Sequence, residues 1–155
     1  MAKIDDFLKN SFSLQGLDSE LALGLSKLAR PIKMAANATL FENGDPGNGC
    51  YAVLEGSLKV SILSVDGDEQ LLAVLGPGDL VGELALLDGR PRSATVSVLK
   101  EAQLAFIEKS AFERFADENP AVYRHMLSIV GKRLRHANDV LAARSFLPLP
   151  GRVAQ

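Results

Sequence analysis

Residues 82–96 read GELALLDGRPRSATV, and this stretch is the most informative part of the sequence. Gly82 allows a tight turn and a close approach of the backbone to a ligand. The residues after it can form a helical turn whose first N–H groups lack partners within the helix and attract an anion. Arg92 offers a planar fork of donors that suits a phosphate, whereas the Glu83 carboxylate only accepts and needs a hydroxyl donor. The stretch therefore predicts a small ligand with one phosphate and an adjacent sugar hydroxyl.

This segment resembles the phosphate-binding cassette of cyclic-nucleotide-binding domains, whose pattern is Gly-Glu-Leu-Ala-Leu, a few variable residues, then Pro-Arg-Ser/Ala-Ala-Thr-Val. The chain matches that pattern at residues 82–86 and 91–96. The resemblance implies that Glu83 binds the ribose 2′-hydroxyl and that Arg92 binds the cyclic phosphate. It also implies that the backbone amides of Gly82, Leu84 and Ala85 line the pocket. Ser93 would hydrogen-bond to the phosphate or the base.

Short β-prone runs separated by glycine-rich turns follow residue 32, which favours an antiparallel barrel or roll. The resemblance implies the jelly-roll-like β-roll of the family, with N-terminal helices and a long C-terminal helix, so the expected class is α+β, mainly β. Strands are predicted at 51–54, 58–63, 71–75, 94–99 and 103–107, the first two joined as a hairpin at Glu55-Gly56. Helices are predicted at 3–9 and at 18–29, with Asp18 or Ser19 as the cap of the second.

Helical spacing returns at Ser110, which is predicted to cap a helix over 112–116. Asn119-Pro120 then predicts the start of a long helix that runs to about Arg144. Two apolar stripes follow this helix. One is a seam of alternating steps of four and three, at Tyr123, Leu127, Val130, Leu134, Ala137 and Leu141; the shorter one is Val122, Met126 and Ile129.

The two stripes predict that one covers the roll while the other forms a parallel homodimer through residues 120–144. The alternative is a single amphipathic helix that packs only on its own domain. In the cyclic-AMP receptor/Fnr family of bacterial transcription regulators, which the chain resembles, the corresponding helix is the dimer axis. Residues 145–155 resemble that family's hinge and the start of its DNA-binding domain, so DNA binding is expected only through a domain missing from this chain.

We therefore divide the chain into a cyclic-nucleotide-binding domain with N-terminal helices at 1–118, a dimerisation helix at 119–144, and a hinge region at 145–155. The expected function is that of a cyclic-nucleotide sensor of a transcription regulator, without enzymatic activity. Two alternatives remain open: a regulatory module of a kinase, channel or other effector, and a family member that senses a non-nucleotide ligand.

Composition limits the other classes of function. The formal net charge of −2 argues against a chain devoted to nucleic acid. Lys132, Arg133 and Arg135 on the long helix predict at most a weak, salt-sensitive attraction to DNA. The sequence has no apolar run as long as a membrane span, and a cytoplasmic location is expected.

The sequence also predicts no metal site and no cofactor. The single cysteine, Cys50, excludes an internal disulfide and is interpreted as a small core residue at the start of a strand. His125 and His136 lie about 16 Å apart on one helix, too far for one metal ion.

The sequence predicts the phosphate and ribose contacts of the ligand more clearly than it predicts the base. In the relevant family members a Thr-Ser pair on the long helix contacts adenine, and the aligned residues here are Ala137 and Asn138. Asn138 both donates and accepts, so it could serve either purine. The expected ligand is cyclic AMP, with cyclic GMP as the alternative.

Overall fold

The structure is a computed structural model and describes residues 17–146. Within these residues six strands form one antiparallel sheet in the order β1-β6-β3-β4, with β2 also paired to β6 and β5 to β3. The predicted class, mainly antiparallel β with flanking helices, is confirmed. In chain order the elements are α1 (Ser19–Leu28), β1 (Arg30–Met34), β2 (Thr39–Phe41), β3 (Gly49–Leu63), β4 (Glu69–Leu75), β5 (Leu80–Val81), α2 (Glu83–Asp88), β6 (Thr95–Glu108), α3 (Lys109–Glu118) and α4 (Ala121–Phe146).

The hairpin predicted at Glu55-Gly56 is wrong, because β3 runs unbroken from Gly49 to Leu63. Gly56 has a φ of 85°, and the register of β3 against β6 shifts on both sides of it. The glycine therefore forms an irregularity inside a strand. A Cβ there would overlap the Glu101 carbonyl oxygen on β6. For the same reason, the two strands predicted over 94–107 are parts of one long strand, β6.

Both faces of the first part of β3, residues 49–54, are covered, which explains its continuous apolar sequence. Cys50, Ala52 and Leu54 belong to a core cluster shared with the helices. Tyr51 and Val53 belong to a second cluster inside the roll. Successive side chains of a strand point to opposite faces, so the alternation assigns each residue to one cluster. Cys50 is 3% exposed, and its prediction as a core residue at a strand start is confirmed.

One of the two predicted helix caps is present in the structure, and the other is not. Asp18 caps α1, because its Oδ1 accepts from the Glu20 N–H at 2.8 Å. The cap predicted at Ser110 is wrong: its hydroxyl donates to the Glu108 carboxylate at 2.5 Å, and α3 already begins at Lys109. The helix predicted at 3–9 and residues 147–155 of the predicted hinge lie outside the described residues. The first two residues of that hinge, Ser145 and Phe146, belong to α4 instead.

The two stripes of α4 have different environments. Val122, Met126 and Ile129 are buried in the cluster that contains Phe112 of α3. The seam leucines are exposed, at 59% for Leu127, 61% for Leu134 and 60% for Leu141. The short stripe thus covers the roll, as one half of the prediction required. The seam begins at Tyr123, which packs against Phe112, and its leucines face outward. No helix within residues 17–146 has the length and apolar composition needed to cross a bilayer.

Candidate ligand-binding site

A cavity of about 340 Å³ lies where α2 meets the roll. Strands β3 and β4 supply apolar walls, including Val60 and Leu75. The start of α2 and the loop after it supply Glu83 and Arg92, and α4 contributes Arg133. The volume falls in the range of roughly 300–1,000 Å³ that is typical of small-molecule sites. An apolar cavity with a few convergent charged groups is the usual form of such a site.

Arg92 is 4% exposed, and acceptors from two chain segments hold its guanidinium. Nη1 donates to the Gly82 carbonyl at 3.2 Å, and Nη2 donates to the Gly49 carbonyl at 2.7 Å and to Asn48 Oδ1 at 3.1 Å. Its Nε is buried and has no partner within the described part of the chain. An unpaired buried donor costs free energy, so a ligand acceptor that reached Nε would offset that cost.

The backbone of Arg92 is tied to the turn between β2 and β3. Its N–H donates to the Asp45 carbonyl at 2.8 Å, and its carbonyl accepts from the Gly44 N–H at 2.8 Å. Gly44 has a φ of 93°, a conformation that glycine adopts without strain. The Gly- and Pro-rich segment around residue 45 therefore positions the arginine from outside the cassette.

Burial and neighbouring charges shift the pKa values of Arg92 and Cys50. Burial lowers the pKa of Arg92, and Tyr51, Cys50, Asp45 and Glu83 oppose that shift. An arginine starts from so high a value that it stays charged. Burial, aided by the charge of Glu83, raises the pKa of Cys50 to about 12 although Arg92 acts to lower it. The Cys50 thiol is therefore protonated at neutral pH and is not a nucleophile.

Gly82 lies at the junction of β5 and α2 and has a φ of 82°. A Cβ at this position would overlap the guanidinium of Arg92. Both the left-handed backbone and the close approach of the arginine therefore require glycine.

Glu83 is 7% exposed and forms an ion pair with Arg133 of α4, in which Nη1 donates to Oε1. Nη2 of the same arginine donates to the Leu80 carbonyl at 3.2 Å. Sequence reasoning assigned Arg133 to a cationic group on the long helix and missed this contact. No local signal reveals it, since 50 residues separate the two side chains.

The remaining predicted residues divide into two groups. Leu84, Ala85 and Ser93 line the same cavity as Glu83 and Arg92. Asn138 is exposed and is absent from the cavity lining of the described protomer. It lies five residues beyond Arg133, which on a helix is about 7.5 Å further along and about 140° around the axis. Within one protomer Asn138 therefore faces away from the direction in which Arg133 reaches the cavity.

Candidate metal ligands do not cluster in residues 17–146, where no group of three His, Cys, Asp or Glu side chains could hold an ion. The charged groups of the cavity instead consist of two guanidinium groups, the carboxylate of Glu83 and that of Asp88. Guanidinium groups are suited to a phosphate and carboxylates to a hydroxyl donor.

Residues 31–119 match the cyclic nucleotide-binding domain family. A CRP-like cAMP-activated global transcriptional regulator of Mycobacterium tuberculosis is 30% identical over 152 residues, which cover 98% of this chain and 68% of that protein. The N-terminal domain of a Streptomyces coelicolor transcriptional regulator is 37% identical, with a TM-score of 0.72 over 88% of this chain and 95% of the other. The regulatory domain of Toxoplasma gondii PKA, crystallised with cAMP, is 33% identical, with a TM-score of 0.67 over 74% of this chain and 43% of the other.

The family match covers more than half of the chain, and it includes both strands that flank the cavity and the whole segment that carries Glu83 and Arg92. The relatives from bacteria are regulators of transcription. This chain therefore belongs to the cyclic nucleotide-binding domain family, as a sensor domain of the cyclic-AMP receptor/Fnr type.

Proposed function

We propose that the chain binds cyclic AMP in the cavity between α2 and the roll and acts as the sensor of a transcription regulator. The observation that carries the proposal is a buried guanidinium, that of Arg92, whose Nε lacks a partner and which shares one cavity with Glu83. A cyclic phosphate carries a single negative charge that matches this cation. The two bacterial relatives described above support the regulatory role.

In this arrangement each part of the nucleotide meets a chemically matched wall. The phosphate binds Arg92, and the ribose 2′-hydroxyl donates to Glu83. The base lies against the apolar surface of β3 and β4, which includes Val60, Ala73 and Leu75. Asn138 would contact a nucleotide only from a second protomer, because it lies outside the cavity of its own chain; its role stays a prediction.

Calorimetric titration tests the proposal directly. Cyclic AMP should bind with one site per chain and more tightly than cyclic GMP, while 5′-AMP, which has no cyclic phosphate ring, should bind much more weakly. Binding of cyclic GMP in preference to cyclic AMP would overturn the choice of base. The absence of heat with either cyclic nucleotide at millimolar concentration would overturn the proposed ligand class.

Arg133 is expected to orient the Glu83 carboxylate so that it can accept a hydrogen bond from the ribose 2′-hydroxyl. Its Nη1 binds Oε1 of the carboxylate, and a carboxylate has a second oxygen that can accept the 2′-hydroxyl. We expect Arg133→Leu to lower the affinity for cyclic AMP by roughly tenfold, the effect of losing one charge-assisted contact. The preference for cyclic AMP over its 2′-deoxy analogue should shrink in parallel, both in this variant and in Glu83→Ala.

Arg135→Leu is the matched control, because Arg135 is exposed and lies two residues further along α4, outside the cavity lining. It should retain both the affinity and the preference for ribose. An Arg133→Leu variant that binds cyclic AMP more tightly would show instead that the arginine competes with the ribose for Glu83.

The regulatory output is proposed to pass through α4. The exposed seam would pair two protomers, and ligand binding beside Arg133 would bias how the paired helices continue toward DNA-binding domains outside the described residues. A ligand shifts such an equilibrium only by its difference in affinity for the two arrangements. In this proposal the protein is a binding module of the cytoplasm, without catalysis. The likeness to the Toxoplasma regulatory domain keeps a kinase regulatory module as the second candidate.

A further inference from the structure

We propose that Phe41 is a positioning residue for Arg92, whose guanidinium it holds by a cation–π contact that leaves the positive charge available to a phosphate. This inference rests on the proposed function, because it assigns the phosphate to Arg92. It adds to the cassette an aromatic residue that lies 51 positions away in sequence, at the end of β2.

The contact is close and the ring is itself held in place. Cζ of Arg92 lies 4.1 Å from the centroid of the Phe41 ring, well inside the roughly 6 Å limit for cation–π attraction. Phe41 is 9% exposed and lines the cavity. Its ring packs against Tyr51, with the centroids 6.2 Å apart, and Tyr51 packs against Phe106 at 4.8 Å. The stack therefore belongs to the packed interior of the roll.

The stack and the hydrogen bonds use different parts of the guanidinium. Its N–H groups lie in the plane of the group, so the carbonyls of Gly82 and Gly49 and the Asn48 side chain bind at its edges. An aromatic ring covers a face. The buried Nε–H, which has no partner within the described residues, lies in the same plane. Stacking on Phe41 and phosphate binding can therefore coexist.

The ring of Phe41 also stabilises the buried positive charge of Arg92. Burial of a cation is costly unless the charge is compensated. A carboxylate in contact with Arg92 would compensate it but would also compete with the phosphate for the same donors. Glu83, which lines the same cavity, is paired with Arg133 instead. The ring of Phe41 stabilises the cation without neutralising it, so the charge stays available to the ligand.

Phe41→Leu and Phe41→Met test the proposal by removing the aromatic face, the second with nearly the original side-chain length. Both should lower the affinity for cyclic AMP by roughly tenfold, whereas Phe41→Tyr should stay within about threefold of the unmutated chain. Phe112→Leu is the matched control. Phe112 is an equally buried phenylalanine, but it belongs to the other core cluster and does not line this cavity. This variant should keep its affinity within about twofold.

Two readouts separate positioning from a general loss of stability. The Arg92 Nε–H resonance should be shifted by the ring current of Phe41, and the shift should disappear in Phe41→Leu and persist in Phe112→Leu. In an Arg92→Gln background, Phe41→Leu should cost less than about twofold in affinity, because the cation on which the ring acts is gone. Equal losses in both backgrounds, or unchanged affinity in Phe41→Leu and Phe41→Met, would overturn the proposal.

Failure of the proposed ligand and failure of the role of Phe41 give different binding results. If the unmutated chain binds no cyclic nucleotide, the proposed ligand fails, and with it the assigned role of Phe41 in binding. If the unmutated chain binds and Phe41→Leu binds equally well, the ligand stands and only the positioning role fails.

Discussion

Arg92→Leu is expected to lower the affinity for cyclic AMP by more than about a hundredfold, on the order of 3 kcal/mol, because it removes a charge-assisted and forked contact. Arg92 is the buried cation of the cavity, and leucine offers a phosphate neither charge nor donors. Calorimetry or displacement of a fluorescent nucleotide measures the loss. Arg92→Lys, which keeps the charge and loses the planar fork, should give an intermediate affinity.

Arg90→Leu is the control for this prediction. Arg90 lies in the same loop, is exposed, and does not line the cavity. Its backbone N–H donates to Asp88, and that bond survives the substitution. Arg92 also holds the carbonyls of Gly82 and Gly49, so thermal unfolding of each variant must be measured alongside binding. A folded Arg92→Leu chain with unchanged affinity would exclude this arginine as the phosphate ligand.

Leu134→Asp is expected to convert a dimeric chain into monomers. In the single protomer Leu134 is 61% exposed, and the buried stripe of α4 is already satisfied by the roll. If the seam pairs with its copy, the substitution places a charge in a buried apolar interface, at a cost of several kcal/mol in each protomer. Sedimentation equilibrium over a range of concentrations measures the change in association.

Ser128→Asp provides the comparison, since it adds the same charge to the same helix at an exposed position outside the seam. It should remain dimeric. Because Leu134 lies beyond the part of α4 that packs on the roll, the Leu134→Asp monomer should stay folded and show an unchanged sheet by circular dichroism. An unmutated chain that is monomeric at high micromolar concentration would contradict the predicted dimer.

The cassette was predictable because its information is local. The sequence around Gly82 and Arg92 predicts a ligand site, and the structure brings Glu83, Leu84, Ala85, Arg92 and Ser93 to one cavity. A glycine, a short helix and an arginine at fixed spacing need only the turn between them to meet. The core role of Cys50 and the cap at Asp18 were predictable for the same reason.

Glycine gave an ambiguous local signal at position 56. A positive φ serves a hairpin turn and an irregular strand equally well. The choice depends on β6, which pairs with β3 over its whole length and leaves no room for a Cβ beside Glu101. A strand partner more than 40 residues away therefore decided that β3 is continuous.

The cassette, the β-roll class and the two apolar stripes of the last helix can be predicted from the sequence. The packing of distant elements adds that Val122, Met126 and Ile129 lie against the roll, that Arg133 reaches Glu83, and that Phe41 lies over Arg92. It also places Asn138 outside the cavity of its own chain. Helix and strand periodicities specify which residues share a face, whereas the partner of that face depends on how distant elements pack together.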